Sequence, residues 1–177
     1  SVYMSLHTQR GVGLIEVLVA MLILSVAILG FVALQVRATV ATEEALKRSD
    51  ALILLNGLAE KIRLNSSGNY RVSIPSTLPA CATTQDCNVD QQAQLDLYQQ
   101  QQVANSKSIQ IGVDFCPNTS AQQQRLCLMA AWNETKPVIA GRSVEHRCLN
   151  DNGSDNTVAA DAGRYANDPD CLVLEAY

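Results

Sequence analysis

The pattern of apolar and polar positions along the chain falls into three regimes. From Val17 to Val36 no residue carries a charge, and Arg37 is the first to do so. That run is long enough, as a helix, to cross a hydrocarbon core of ~30 Å. From Arg37 to Leu64 the pattern becomes a stripe: Ala38, Ala41, Ala45, Leu52, Leu55, Ala59 and Ile62 recur at three–four spacing, the signature of one helix face. Leu46, Ile53, Leu54 and Leu58 lie off that stripe and widen the apolar surface. Glu43 with Lys47, and Glu44 with Arg48, form helical i,i+4 pairs of favourable orientation. No proline occurs before Pro75. The prediction is a single helix from Val12 to Leu64, about 80 Å long at 1.5 Å per residue. A helix of that length suits a chain whose first half lies in lipid and whose second half packs on a domain. Asn65-Ser66-Ser67-Gly68-Asn69 ends it, with Arg63 in the last turn, where a cation complements the helix dipole.

Beyond residue 70 the periods shorten. Tyr70 to Ile74 reads as a short strand or an extended link, and Pro75 and Pro79 then enforce loop. Asp90 is the expected cap of a short helix running through Tyr98 to Val103, with Leu95, Tyr98 and Gln102 at helical spacing. Seven glutamines between 91 and 102 keep it polar and make a low-complexity segment the rival reading. Ile109, Ile111, Val113 and Phe115 alternate with Gln110, Gly112 and Asp114, and Leu126, Leu128, Ala130 and Trp132 alternate again. Period two with one buried face means strand. Asn133 to Pro137 is a turn, Val138-Ile139 and Val144 to His146 are candidate short strands, Asn150 to Asp161 is loop, and Cys171 to Tyr177 is a terminal strand. One long helix followed by strands joined at hairpin length gives an α+β fold: the helix, half transmembrane and half amphipathic, packed on a small antiparallel sheet.

Charge and cysteines narrow the function. The net charge is −4 and no basic stripe is present, so nucleic acid is not an expected partner. All six cysteines, Cys81, Cys87, Cys116, Cys127, Cys148 and Cys171, follow residue 80. An even number confined to one part of the chain points to disulfides in an oxidising compartment. Six cysteines allow 15 pairings. Neighbour pairing would give Cys81–Cys87, Cys116–Cys127 and Cys148–Cys171. Zinc is disfavoured because no C-x2-C pair exists and the two histidines, His7 and His146, are far apart in sequence. Asp151, Asn152, Asp155, Asn156 and Asp161 do not follow a calcium-loop spacing. No metal and no cofactor is expected. No nucleophile elbow, phosphate loop or H-E-x-x-H occurs, and His146 beside Glu145 is the one candidate base outside the N-terminal segment. An enzyme is not expected.

One residue does not belong to a plain anchor. Glu16 sits at the leading edge of the apolar run, shortly after Arg10-Gly11. Ionisable groups at such places are costly and usually functional; the plain alternative is a helix-start acid favoured by the dipole. Were the chain cut after Gly11, the new ammonium of Val12 and the Glu16 carboxylate would lie ~6 Å apart along the axis. In a staggered bundle one subunit's carboxylate then meets its neighbour's ammonium, a pairing strong and intolerant of misregister in a low-dielectric core.

Gly11 followed by Val-Gly-Leu-Ile-Glu and an apolar run resembles the class III signal of type IV pilins and type II secretion pseudopilins. Leu14 to Ala20, Ile28-Leu29-Gly30, Leu34-Gln35, Arg48-Ser49, Ala51, Ala59 to Arg63 and Asn65 are similar to PilV-type minor pilins, over residues 8 to about 65. The resemblance implies cleavage between Gly11 and Val12 by a prepilin peptidase, N-methylation of Val12, axial register through Glu16, and packing through Leu14, Ile15, Val17 and Leu18. The expected organisation is a leader (1–11), a transmembrane helix (12–36), its amphipathic continuation (37–64) and a disulfide-containing periplasmic, β-rich domain (65–177). The expected role is that of a minor pilin, held in the bacterial inner membrane and then in the pilus. There it joins other minor pilins in a priming or tip complex for the major pilin, in twitching motility and adhesion, with a tip adhesin as a further candidate partner. Cys148–Cys171 would close a loop similar to the disulfide-bounded C-terminal loop of many pilins. The alternatives are a minor pseudopilin of a type II secretion system and, from another class, a membrane-anchored periplasmic binding module that keeps Gly11 and has no use for Glu16.

Overall fold

The computed structural model describes residues 11–151, 161–167 and 169–176. His7, Asn152, Asp155, Asn156 and Tyr177 lie outside them, as do most of the expected leader and most of the Asn150–Asp161 loop. The chain forms two compact units that divide within the first helix, between Glu44 and Ala45.

Helix α1 (Leu14–Leu64) is continuous over 51 residues. In the first unit it opens with Glu16 and Val17 donating their N–H groups to the Gly13 carbonyl, at 3.0 and 3.3 Å. The few hydroxyls of this apolar stretch are satisfied within the helix: Ser25 Oγ donates to the Met21 carbonyl (2.7 Å), Thr39 Oγ1 to Gln35 (2.9 Å) and Thr42 Oγ1 to Ala38 (2.8 Å). That back-bonding lets a polar side chain sit in an apolar helix without presenting an unmet donor.

In the second unit, α1 packs through Ala51, Leu54, Leu55, Leu58 and Ile62, all buried. Leu55 and Ile62 of the stripe read from the sequence are in this core and Ala59 packs against it, but the rest of the stripe is not. Ala38, Ala41 and Ala45 are exposed, Leu52 is 45% exposed, and Leu54 and Leu58, placed off the stripe, belong to the core. At about 100° per residue, positions 51, 55, 58 and 62 share one face and 54 flanks it, whereas 52 turns a quarter of the circle away. Leu46 and Ile53 stay exposed.

Tyr70 to Ile74 is an extended link, with Tyr70 buried. A single helical turn, α2 (Cys81–Thr84), follows, then α3 (Val89–Asn105). The cap of α3 is Asn88, not Asp90. Its side chain accepts from Gln91 N at 2.8 Å while the Gln91 side chain accepts from Asn88 N at 3.0 Å, a complete capping box. Asp90 instead accepts from the Asn69 N–H (2.9 Å) and ties the link to the helix. The buried face of α3 runs through Ala93, Leu97, Gln100 and Ala104; Tyr98 is half-buried and Gln102 exposed. The glutamines are structural: Gln100 Nε2 donates to the Leu54 carbonyl (2.7 Å), joining α3 to α1.

The sheet has strand order β1 (Ile109–Phe115), β2 (Leu126–Trp132), β5 (Cys171–Ala176), all antiparallel, with Ile111 opposite Ala130 and Leu128 opposite Leu174. One face presents Ile109, Ile111, Leu128, Ala130 and Trp132 to α1 and α3. The other carries Cys127, Met129, Ala131 and Cys171 into a second cluster with Cys116, Cys148 and Leu149. Central strand β2 is therefore buried on both faces. β1 is an edge, and Gln101 caps its start: Nε2 donates to the Ile109 carbonyl and Oε1 accepts from Ile111 N, both at 3.0 Å. An amide side chain thus does what a neighbouring strand would do.

One expectation fails on the outer face: Val144 to His146 is a turn, not a strand, with His146 at φ 57°. Apart from the antiparallel sheet, the short strand β3 (Ile139–Ala140) pairs in parallel with β4 (Leu149–Asn150). The three disulfides are Cys81–Cys87 across α2, Cys116–Cys127 at one end of the β1–β2 pair, and Cys148–Cys171 between the entries to β4 and β5.

Candidate functional site

The candidate site is the N-terminal part of α1. Val12, Leu14, Ile15, Val17 and Leu18 are all exposed, from 42% to 87%. So are the large apolar residues through Val40. The helix is long and apolar enough to cross a membrane. A contiguous apolar surface of this extent is incompatible with water and requires lipid or other helices around it.

Glu16 lies in the first turn of α1. With Ile15, Val19, Ala20 and Ile23 it lines a shallow groove along the helix. Its carboxylate meets no cation among the described residues. Val12 precedes it by four residues and lies ahead of α1, which begins at Leu14 and not at Val12 as expected, so the ~6 Å helical rise between them is not present in this structure. The first turn places a carboxylate where the unpaired N–H groups favour negative charge, worth ~0.3–1 kcal/mol. That stabilises Glu16 at the start of the helix but supplies no cationic partner among the described residues.

Two family models match end to end along this helix. Residues 6–32 match the prokaryotic N-terminal methylation motif, and residues 33–98 match the family described as type IV pilin Tt1218. The chain is a type IV pilin. Comparison with curated proteins and with solved structures returns no match. The two matched regions cover α1, α2 and the first part of α3. Membership implies other pilins as partners and processing by prepilin peptidase. It anchors the pilin in a membrane through α1, and the family is structural, not enzymatic.

Other candidate residues of the pilin have partners within the second unit. The Cys116 and Cys127 sulfurs lie beside the Glu175 carboxylate, but they are bonded to each other and offer no thiolate. His146 is exposed on its turn, with Nε2 3.9 Å from Glu134. Asp161, one of the calcium candidates, is paired with Arg142.

Sequence reasoning missed the buried polar node of the second unit. Tyr70 Oη donates to Asp96 Oδ2 at 2.6 Å, and Gln92 Nε2 donates to Asp96 Oδ1 at 2.9 Å. Asn65 Nδ2 reaches Tyr70 Oη at 3.3 Å. Burial, and then the Asp96 carboxylate, hold the Tyr70 phenol above its ordinary range. An acid at position 96, one turn from Gln92 on a face with Ala93 and Gln100, was the available signal.

Proposed function

We propose that this chain is a minor pilin of a type IV pilus, similar to PilV-type subunits, that takes part in initiating pilus assembly. In this reading 1–11 is a leader removed between Gly11 and Val12, Val12 is the methylated N-terminus, and 12–36 spans the inner membrane. The region 37–64 continues into a periplasmic domain, 65–177, which reaches the cell surface with the filament. Partners are other minor pilins and the major pilin, in a priming or tip complex. The observation that carries the reading is Glu16: a carboxylate without a cation among the described residues, at the leading edge of an uncovered apolar helix, four residues from the proposed N-terminus.

The energetic logic is direct. In lipid the apolar helix is satisfied, so it has no hydrophobic reason to leave. Only a partner that the bilayer lacks draws it into a bundle, and a neighbour's Val12 ammonium is such a partner for Glu16. Leu14, Ile15, Val17 and Leu18 then pack the same turn.

Intact-mass and N-terminal peptide analysis of the protein from membranes, with and without prepilin peptidase, tests the processing. The expected product begins at Val12 and is one methyl heavier. Gly11 retained in the presence of active peptidase would refute it. Glu16→Ala is expected to insert and to be cleaved, yet to lower surface pilus number. Normal piliation in that variant would refute the register role. Loss of protein export with pili intact would point to a type II secretion pseudopilin.

A further inference from the structure

The second unit carries a polar cleft that the assembly reading does not use. It has a volume of about 560 Å³ and lies among the turn after β3, the end of β4 and the approach to β5. That volume falls in the range of small-ligand sites, roughly 300–1,000 Å³. Arg142, Arg147 and Arg164 line it, and Asp161 is the one carboxylate among its described lining residues. Counting His146 as neutral, the described lining residues carry two net positive charges in a chain whose net charge is −4. Further described acids stand near it: Glu134, 3.9 Å from His146 Nε2, Asp170, whose N–H donates to Thr135 Oγ1, and Glu145 and Asp151, which adjoin the lining residues His146 and Asn150 in the chain.

The cationic groups are not equivalent. Arg142 is neutralised by its ion pair with Asp161. Arg147 is held in place: Nε donates to Asn150 Oδ1 (2.8 Å) and Nη1 to the Val144 carbonyl (2.8 Å), and Asn150 is itself buried. Its Nη2 makes no hydrogen bond among the described residues. Arg164 is exposed, and its guanidinium makes no hydrogen bond or ion pair among the described residues. Beside them stands Tyr165, 46% exposed, with its phenol oxygen fixed by the Val173 N–H at 3.0 Å. An exposed aromatic ring pinned at its polar end is a platform, not a core side chain.

We infer that this cleft binds a carboxylated saccharide: Arg147 and Arg164 take a uronate carboxylate, and Tyr165 stacks on a sugar face. A planar guanidinium is matched to a planar carboxylate, with charge-assisted bonds about twice as strong as neutral ones. The lining is mostly polar; Asn150 Oδ1 and Thr135 Oγ1 already accept from Arg147 Nε and the Asp170 N–H, which leaves the Asn150 amide N–H and the Thr135 hydroxyl as donors to sugar oxygens. This site is independent of the assembly reading, since it uses no residue of α1.

The test is calorimetric titration of the full chain in detergent with trigalacturonate, with maltotriose as the neutral trisaccharide and sodium sulfate as the bare anion. Trigalacturonate is expected to bind at least tenfold more tightly than maltotriose, and equimolar sulfate is expected not to displace it. Arg164→Gln is expected to weaken binding at least tenfold, with Arg164→Lys intermediate. Asp161→Asn frees Arg142 and is expected to tighten binding several-fold, whereas a merely structural role for Asp161 would weaken it. Unchanged Trp132 fluorescence in each variant verifies the fold. Absence of heat with trigalacturonate, equal affinity for maltotriose, displacement by equimolar sulfate, or an Arg164→Gln variant within twofold of wild type would each overturn the assignment.

Discussion

The strongest stability prediction concerns Tyr70. Its ring is 2% exposed and Asp96 is 6% exposed, so neither group has water as a substitute partner. The Tyr70 Oη to Asp96 Oδ2 bond, at 2.6 Å, is the shortest at this node, and the Lys61 carbonyl at 3.2 Å is a second, longer acceptor. Tyr70→Phe keeps the ring and deletes the donor. Asp96 then retains only the Gln92 amide, at 2.9 Å. A hydrogen bond to a charged group is worth ~1.5–3 kcal/mol, and a buried acceptor left short of a partner costs ~1–3 kcal/mol. The expected loss is therefore about 2 kcal/mol. Urea unfolding followed through Trp132, the one tryptophan, which is buried in the same cluster, reads this directly. A double-mutant cycle with Asp96→Ala is expected to give a coupling above ~1 kcal/mol. A Tyr70→Phe loss below ~0.5 kcal/mol would refute the reasoning, since surface substitutions already produce that much. The same node sets a pH dependence. The phenol is raised, by burial first and by Asp96 second, so the folded protein holds its proton more tightly than the unfolded chain does. The contribution is complete below the unfolded value of about 10 and declines above it, as the unfolded chain releases its proton first. Wild type should lose stability above pH ~10 more steeply than Tyr70→Phe.

Two further substitutions probe local packing. A Cβ on Gly112 would meet the Pro137 carbonyl oxygen, a backbone atom, so Gly112→Ala is expected to cost ~1–3 kcal/mol in the same urea assay and to shift backbone amide NMR signals around Pro137. Asn88→Ala removes the side-chain half of the α3 capping box and is expected to cost about 1 kcal/mol, with Asn88→Asp retaining most of it.

Local rules made much of this fold legible, and the failures share a cause. α1 was readable because fifty residues pass without proline, and β1 because Ile109, Ile111, Val113 and Phe115 alternate cleanly. The rotation of α1 was not, because Leu46, Leu52, Leu54 and Leu58 spread apolar surface around most of the helix. Which of them is covered depends on a sheet formed tens of residues later. β2 was only half legible: Cys127, Met129 and Ala131 are apolar enough to bury the second face. β3 and β4 each have two residues, too few to carry a period. The glutamines of α3 read as low complexity because nothing local distinguishes Gln101, which seals a strand edge, from Gln102, which faces solvent. In the candidate site, Glu16 was legible because a lone charge against an apolar run needs no tertiary information. The arginine cleft was not, because Arg142, Arg147 and Arg164 converge only after β4 pairs with β3 and the chain returns through Tyr165 to bridge Leu149.

The separation into two units decides how the Glu16 experiment is read. The second unit has two buried clusters of its own and three disulfides. Neither cluster includes a residue before Ala51. Removing a carboxylate from the first turn of α1 therefore takes nothing from that core, and ΔΔG values for well-separated sites without shared partners add to within ~0.5 kcal/mol. The urea transition reported by Trp132 should be the same in Glu16→Ala as in wild type, while Tyr70→Phe moves it by about 2 kcal/mol. The reverse pattern is expected for assembly: a folded chain with Ala at 16 is incorporated poorly, whereas a Tyr70→Phe chain that still folds is incorporated normally. A shifted Trp132 transition in Glu16→Ala would mean that the acid supports folding, and lost piliation could then no longer be ascribed to register.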